Sequence, residues 1–508
     1  MKLYTWQQEC LKAWEENGCR GIVNVVTGAG KTVLALETIR RFRRKHANAR
    51  IRIVVPTIPL AQQWQSALLR EAEDEADRPG FFGAGRRDAW DRPVMIYIIN
   101  SAREHLAQHI EQAFALGQPV LLVCDECHHY QSKENRKIFD FRIPPFFSGH
   151  QYATLGLSAT PFGTAHDEVL IRGLGKEIYQ YGFEEASAQG IVTSFTIMET
   201  AATFLPEERV RYQALTHELI ILYAKLLARY PYLKNMEERL FQIELNRLAQ
   251  EAGMDPANLA VSYLLKTWER KAVSNLAQTR SLCALDILRQ HPEDTKAILF
   301  CERISQAEDM LRLLRRKVGD IGVLYHSEMS REARERSLQA FRDNQARVLV
   351  SCRALDEGID VPDAGVGIVL SSTSVARQRI QRLGRVLRRA PGKMAACLYY
   401  IYLPESTDDG VFLPELKGID CVQLRYSAEE RAFSNELYEY AARELLHQAA
   451  DLSQPKQKEL RKCLLEGLPR ADYLLPPEAF RERKGETVHE ANYRKTMLKM
   501  SRLFHQSQ

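Results

Sequence analysis

Short apolar, β-branched runs punctuate the first two hundred or so residues: Ile22 to Val26, Ile51 to Val55, Val94 to Ile99, Val120 to Cys124 and Thr154 to Leu157. Longer stretches of helical periodicity separate them. Continuous apolar runs alternating with helices predict parallel strands covered on both faces. A second series repeats the pattern at Ala297 to Cys301, Gly322 to Tyr325, Val348 to Cys352, Gly367 to Leu370 and Cys397 to Tyr402. Between the two series the pattern turns helical, with Leu215, Leu219, Leu222 and Leu226 spaced 4-3-4 along one stripe. From Asp420 onward helical segments recur, broken at Pro455, Pro469 and Pro476-Pro477. The expected organisation is therefore an α/β chain with parallel-sheet domains over residues 1–204 and 289–419. A helical insert or arm occupies 205–288, and a helical C-terminal region 420–508.

In a parallel sheet, ligands gather at the carboxyl ends of the strands, and the chemically suggestive residues fall there. After the first run comes Thr27-Gly28-Ala29-Gly30-Lys31-Thr32. Glycines 28 and 30 let the backbone turn tightly and aim N–H groups at phosphate oxygens, helped by the start of the following helix. Lys31 is placed to reach the β- and γ-phosphates and the Thr32 hydroxyl to hold Mg²⁺. The general phosphate-loop pattern has glycine where this chain has Val25. About ninety residues downstream, Asp125-Glu126-Cys127-His128 closes the fourth run. Asp125 is expected to hold Mg²⁺, and Glu126 to orient and deprotonate an attacking water. Together the two elements point to NTP hydrolysis. Ser158-Ala159-Thr160 after the fifth run could link such a site to domain movement. Tyr4, Trp6 and Gln7, upstream of the loop, are candidates to stack on and hydrogen-bond an adenine.

The second series has no phosphate loop. It carries Asp356-Glu357-Gly358-Ile359-Asp360 and then Gln381-Arg382-Leu383-Gly384-Arg385-Val386-Leu387-Arg388. Arg385 and Arg388, three apart, share a helix face. Directed at a γ-phosphate, two guanidinium groups would act as arginine fingers.

At 508 residues the chain exceeds what one core organises. Its 45% hydrophobic and 27% charged residues are ordinary for a globular protein. A net charge of +5 permits a nucleic-acid partner without demanding one. Between Arg481 and Arg502 seven Arg or Lys stand against three Glu, a local basic segment. No run is long and apolar enough for a membrane span, and the first nine residues lack a signal-like stretch, so a cytoplasmic location without a membrane partner is expected. Ten scattered cysteines suit a reducing compartment. Cys124, Cys127, His128 and His129 lack the second ligand pair that a zinc site needs.

With these residues assembled, the chain resembles superfamily 2 helicases and translocases bearing a DECH box. The resemblance runs through Tyr4, Trp6 and Gln7; Thr27 to Thr32; Pro56-Thr57 with Gln63-Trp64; Asp125 to His128; Ser158 to Thr160; Phe300; Glu357 to Asp360; and Gln381 to Arg388. Leu355 to Pro362 and the later arginine segment look most like the XPB-like branch, which is related to restriction-enzyme motor subunits. The resemblance implies two tandem RecA-like domains clamping ATP and Mg²⁺, with Glu357, Gly358 and Asp360 at the nucleotide, Gln381, Arg385 and Arg388 as catalytic residues, and nucleic acid, DNA rather than RNA, across both domains. It implies backbone contacts from Pro56, Thr57, Ser101, His326 and Arg353. The cysteine pairs of some bacterial relatives are missing here.

Three readings follow. The first is a DNA helicase or translocase whose hydrolysis nucleic acid stimulates. The second is the motor subunit of a defence or restriction complex, its protein partner docking through the insert or the C-terminal region. The third is an ATP-gated clamp that does not step.

Overall fold

The computed structural model describes residues 3–71, 78–144, 151–162, 167–192, 195–253, 255, 258–352, 364–371, 396–407, 420–482 and 485–506. Two eight-stranded, mostly parallel sheets organise it. The first contains β1 (Arg20–Val25), β2 (Arg50–Val55), β3 (Gly80–Gly83), β4 (Arg86–Arg87), β5 (Val94–Ile98), β6 (Val120–Asp125), β7 (Tyr152–Ser158) and β8 (Glu177–Tyr181). Their spatial order is β4-β3-β5-β2-β6-β7-β1-β8. Every run read as a strand is one. The pattern missed the short β3–β4 hairpin and β8, whose mostly half-buried residues, Glu177 among them, lack a continuous apolar signature. One core packs against helices Thr5–Glu16, Lys31–Lys45 and Ile58–Leu69, and the other face against helix Ile99–Ala115. Burial on both sides is why these strands are uniformly apolar.

The second sheet contains β9 (Phe195–Ala202), β10 (Ala297–Cys301), β11 (Gly322–His326), β12 (Val348–Cys352), β13 (Val366–Val369), β14 (Ala396–Tyr402), β15 (Asp420–Ser427) and β16 (Ala432–Ser434). Its order is β11-β12-β10-β13-β14-β9-β15-β16. Two boundaries expected from sequence differ here. β9 falls inside the expected 1–204 domain, yet it pairs in parallel with β14 and β15 of the second sheet. The C-terminal region expected to be helical begins with two strands and becomes helical only from Glu436.

The insert has its own core, in which Leu226, Leu233, Phe241, Leu245, Val261 and Leu264 meet. Leu215, Leu219 and Leu226 of the predicted stripe are buried on helix Pro206–Arg229. Helix Gln278–Gln290 reads as a continuation of the insert but packs Cys283, Leu285, Ile287 and Leu288 into the core of the second sheet. No helix among the described residues is long and apolar enough to cross a membrane.

Candidate active site

The register of the first sheet gathers the motifs. β7 lies between β1 and β6, with Asp125 opposite Leu157 and Asn24 opposite Ser158. The phosphate loop, the Asp125-Glu126 pair and Ser158 therefore emerge at one end of three adjacent strands.

In the loop, Gly28 and Gly30 have φ of +89° and +99°, a left-handed backbone that a side chain would strain. Gly30 is the N-cap of helix Lys31–Lys45, and a Cβ there would lie 3.0 Å from Gln7 Nε2. Val25, where the general pattern has glycine, is a fully buried strand residue without positive φ, so its backbone asks for no glycine. Its carbonyl accepts a 3.0 Å hydrogen bond from Lys31 Nζ. The Thr27 hydroxyl is buried without a hydrogen-bond partner among the described residues, and the Thr32 side chain is exposed on the first helical turn. Glycine backbone, cation, uncommitted hydroxyl and helix N-terminus suit a polyphosphate.

The N-terminal aromatics divide. Gln7 is fully buried; its Oε1 accepts from the Tyr4 amide at 2.9 Å and its Nε2 donates to the Gly30 carbonyl at 3.0 Å. Tyr4 is 51% exposed. Trp6 corrects the expectation: it is 1% exposed and stacks on Tyr181 at 5.1 Å, so its ring belongs to the core and is not offered to a base.

Asp125 ends β6 almost completely buried. Its Oδ1 accepts from the Glu126 amide at 3.0 Å, and its Oδ2 from Trp64 Nε1 at 2.7 Å. Burial, then the neighbouring Glu126 charge, pushes its carboxyl up to about 6, against the pull of Trp64 and Lys31. Such a carboxylate gains by meeting a cation, the chemistry expected of a Mg²⁺-holding residue. Glu126 sits in the left-handed region at φ +46°, a strained conformation for a residue with a side chain. It brings the Glu126 carboxylate to 3.5 Å from His128 Nδ1, which is 2.9 Å from Ser158 Oγ. Ser158 Oγ in turn accepts from the Thr160 amide at 3.1 Å. The Asp-Glu turn and the Ser-Ala-Thr segment are thus one connected polar unit.

Trp64, named in the sequence only as part of the family resemblance, had no role assigned at the acidic pair, and Tyr130 was missed. The Tyr130 hydroxyl lies 2.7 Å from the Asp125 carbonyl and 2.9 Å from that of Val54, tying β6 to β2. The contacts of Trp64 with Asp125 and of Tyr130 with Val54 leave no local signal, because the partners are 61 and 76 residues apart. Cys124, Cys127 and His128 are buried, burial holds both thiols un-ionised, and among the described residues they do not converge as a metal site.

The candidate nucleic-acid residues also occupy strand ends. Pro56 and Thr57 follow β2, with Thr57 as N-cap of helix Ile58–Leu69 and its hydroxyl buried without a partner among the described residues. Ser101 is half-buried in the first turn after β5. His326 ends β11 and is buried, with Nδ1 unpartnered among the described residues. Arg353, Glu357, Gly358, Asp360, Gln381, Arg385 and Arg388 lie outside the described residues.

A phosphate loop and an acidic pair at one end of a mostly parallel sheet, in a chain with a second mostly parallel sheet, are the features by which the chain resembles superfamily 2 helicases and translocases. Residues 1–163 match the family described as type III restriction enzyme, res subunit, and residues 278–390 the helicase conserved C-terminal domain. Its curated relatives include XPB-like DNA helicases and translocases. It is 29% identical over 390 residues to the DNA 3'-5' translocase XPB2 of Sulfurisphaera tokodaii, covering 77% of this chain and 79% of that one. It is 23% identical to the DNA 3'-5' helicase XPB of Kineococcus radiotolerans, over 77% of this chain and 58% of the other. Apart from the first, the chain spans 51% to 62% of the length of the curated relatives it matches. The fold is shared with the helicase domain of Hef from Pyrococcus furiosus, at a TM-score of 0.52 and 17% identity over 80% of this chain and 96% of that one. It is shared also with an HsdR fragment of a type I restriction enzyme from Vibrio vulnificus, at 0.52 and 16% over 84% and 68%.

Proposed function

We propose that the chain is an ATP-driven translocase acting on DNA, whose hydrolysis nucleic acid stimulates. The observation that carries this reading is the convergence of Lys31, Asp125, Glu126 and Ser158 at one end of three adjacent strands, with Glu126 linked to Ser158 through His128. Lys31 exchanges its bond to the Val25 carbonyl for the β- and γ-phosphates. Thr32 and Asp125 hold Mg²⁺, which supplies charge neutralisation at the phosphates. Glu126 orients the attacking water and takes its proton. Tyr4 and Gln7 read the adenine. Glu357, Gly358 and Asp360 are assigned to nucleotide binding and Gln381, Arg385 and Arg388 to catalysis, the last three acting only with nucleic acid bound, so hydrolysis without it is slow. Pro56, Thr57, Ser101, His326 and Arg353 hold the nucleic-acid backbone, which encodes no base sequence. The preference for DNA over RNA rests on relatives described as DNA translocases and helicases.

Steady-state ATP hydrolysis by the full chain, alone and with single-stranded DNA, duplex DNA or RNA, tests this. DNA should stimulate turnover strongly and Glu126→Gln should abolish it. Fast hydrolysis indifferent to every polymer defeats the proposal.

A second reading, the motor of a larger assembly, draws on the restriction-subunit family match and on apolar side chains left bare in the C-terminal region. Leu437, Tyr440 and Val488 are 74%, 72% and 81% exposed. Folded, ATP-binding protein that no polymer stimulates would favour that reading.

A further inference from the structure

The C-terminal helices carry a side-chain cluster that the motor chemistry does not use. Helix Gln454–Arg470 presents Glu459, Cys463 and Glu466, spaced four and three residues apart and therefore on one face. Helix Val488–Gln506 packs against it and brings His489 to that face in its first turn. One carboxylate oxygen of Glu459, the sulfur of Cys463 and a ring nitrogen of His489 lie within 4.8 Å of one another. Cys463 is fully buried, while the other two are half-buried. The cluster borders a cavity of about 850 Å³ also lined by Leu445, Leu452, Leu460 and Lys495.

The bonding around His489 is asymmetric in a telling way. Its Nδ1 lies 2.5 Å from Glu459, and its Nε2 3.0 Å from Glu466. Glu466 is itself fixed, 3.1 Å from Arg470 Nη2 and 3.9 Å from Lys462 Nζ. A histidine that binds metal through one nitrogen commonly donates from the other to an anchored carboxylate, which sets the tautomer and the ring angle. A protonated imidazole bridging two carboxylates accounts for the two glutamates. It does not use the buried Cys463 sulfur at the same point, whose other polar neighbour is the Thr496 side chain.

We propose that Glu459, Cys463 and His489 bind one zinc ion, with Glu466 as the carboxylate that orients His489 and the fourth coordination position facing the cavity. Mixed oxygen, sulfur and nitrogen donors suit zinc, and three protein ligands with one open position are a familiar zinc arrangement. On binding, the Cys463 thiol proton and any second ring proton of His489 pass to solvent, so affinity rises with pH. The ion would pin together the two helices that flank the cavity, independently of the nucleotide site.

The test uses the full chain, stripped by a chelator and titrated with Zn²⁺ or Co²⁺ in the absence of nucleotide and nucleic acid. One metal per chain is expected, with a sulfur-to-cobalt charge-transfer band in the Co²⁺ form. Cys463→Ser should remove the band. Glu466→Gln should keep the band and the fold, judged by circular dichroism, while weakening Zn²⁺ binding roughly 10- to 100-fold. If Cys463→Ser does not fold, the wild-type spectrum and Glu466→Gln decide. No stoichiometric uptake, a Co²⁺ spectrum lacking the sulfur band, or uptake unchanged in Glu466→Gln and His489→Ala each overturns the proposal.

Discussion

Replacing Trp64 by phenylalanine removes one hydrogen bond and keeps most of a fully buried ring. The indole N–H donates to Asp125 Oδ2 at 2.7 Å, in a site that pushes the carboxyl up to about 6. A hydrogen bond to a charged group contributes about 1.5–3 kcal/mol, and 1.36 kcal/mol corresponds to one pH unit, so the variant's carboxyl should titrate at roughly 7 to 8. At pH 7 the ionised fraction then falls from about 90% to somewhere between about 50% and 10%. Because the ionised form is the one proposed to hold Mg²⁺, the Mg²⁺ concentration for half-maximal ATPase activity should rise roughly two- to tenfold at pH 7. It should approach the wild-type value as the pH is raised toward 9. The assay is a Mg²⁺ titration of steady-state hydrolysis at several pH values, with a thermal melt to confirm folding. An unchanged Mg²⁺ requirement at pH 7, or an equal deficit at every pH, would refute the reasoning.

Other expectations follow from the same site. Asp125 titrates above its ordinary 3.8 in the fold, so its contribution to stability is full below that value and is lost as the pH rises through about 6. Asp125→Asn should therefore stabilise the metal-free protein by about 1–3 kcal/mol at pH 7 and by nothing near pH 3.5, as read by thermal melts. Lys31→Ala should lower ATP turnover on the order of 10²-fold while leaving the melting temperature of the free protein little changed. Ser158→Ala cuts the link to His128; hydrolysis should persist while DNA movement per ATP falls, measured by comparing turnover with strand displacement. Leu264→Ala opens a cavity in the insert's own core and should destabilise it by about 2–5 kcal/mol, read by hydrogen exchange over the insert, with the ATPase retained.

The phosphate loop and the acidic pair were legible because their chemistry fixes residue types at short spacings, and because strand ends are where a parallel sheet puts ligands. Trp6 was not. An aromatic beside a candidate adenine site reads the same whether it faces a base or the core, and only its stacking on Tyr181 decides. The bond of Trp64 to Asp125 and the role of Tyr130 escaped because the partners come from other elements: Asp125 is 61 residues from Trp64, and Val54 is 76 residues from Tyr130. The domain limits were misjudged for a related reason. β9 precedes the insert in sequence but hydrogen-bonds to β14 and β15, and helix Gln278–Gln290 continues the helical pattern while burying its apolar face on the second sheet. Periodicity reports which face of an element is buried and says nothing about which sheet buries it.

The central claim is movement along DNA driven by ATP. It is tested most directly by displacement of a triplex-forming third strand from duplex DNA, an assay that scores translocation without strand separation. The account predicts displacement by the full chain with ATP and Mg²⁺, and none by Glu126→Gln. Vigorous DNA-stimulated hydrolysis with the third strand left in place would contradict it and leave a clamp that does not step.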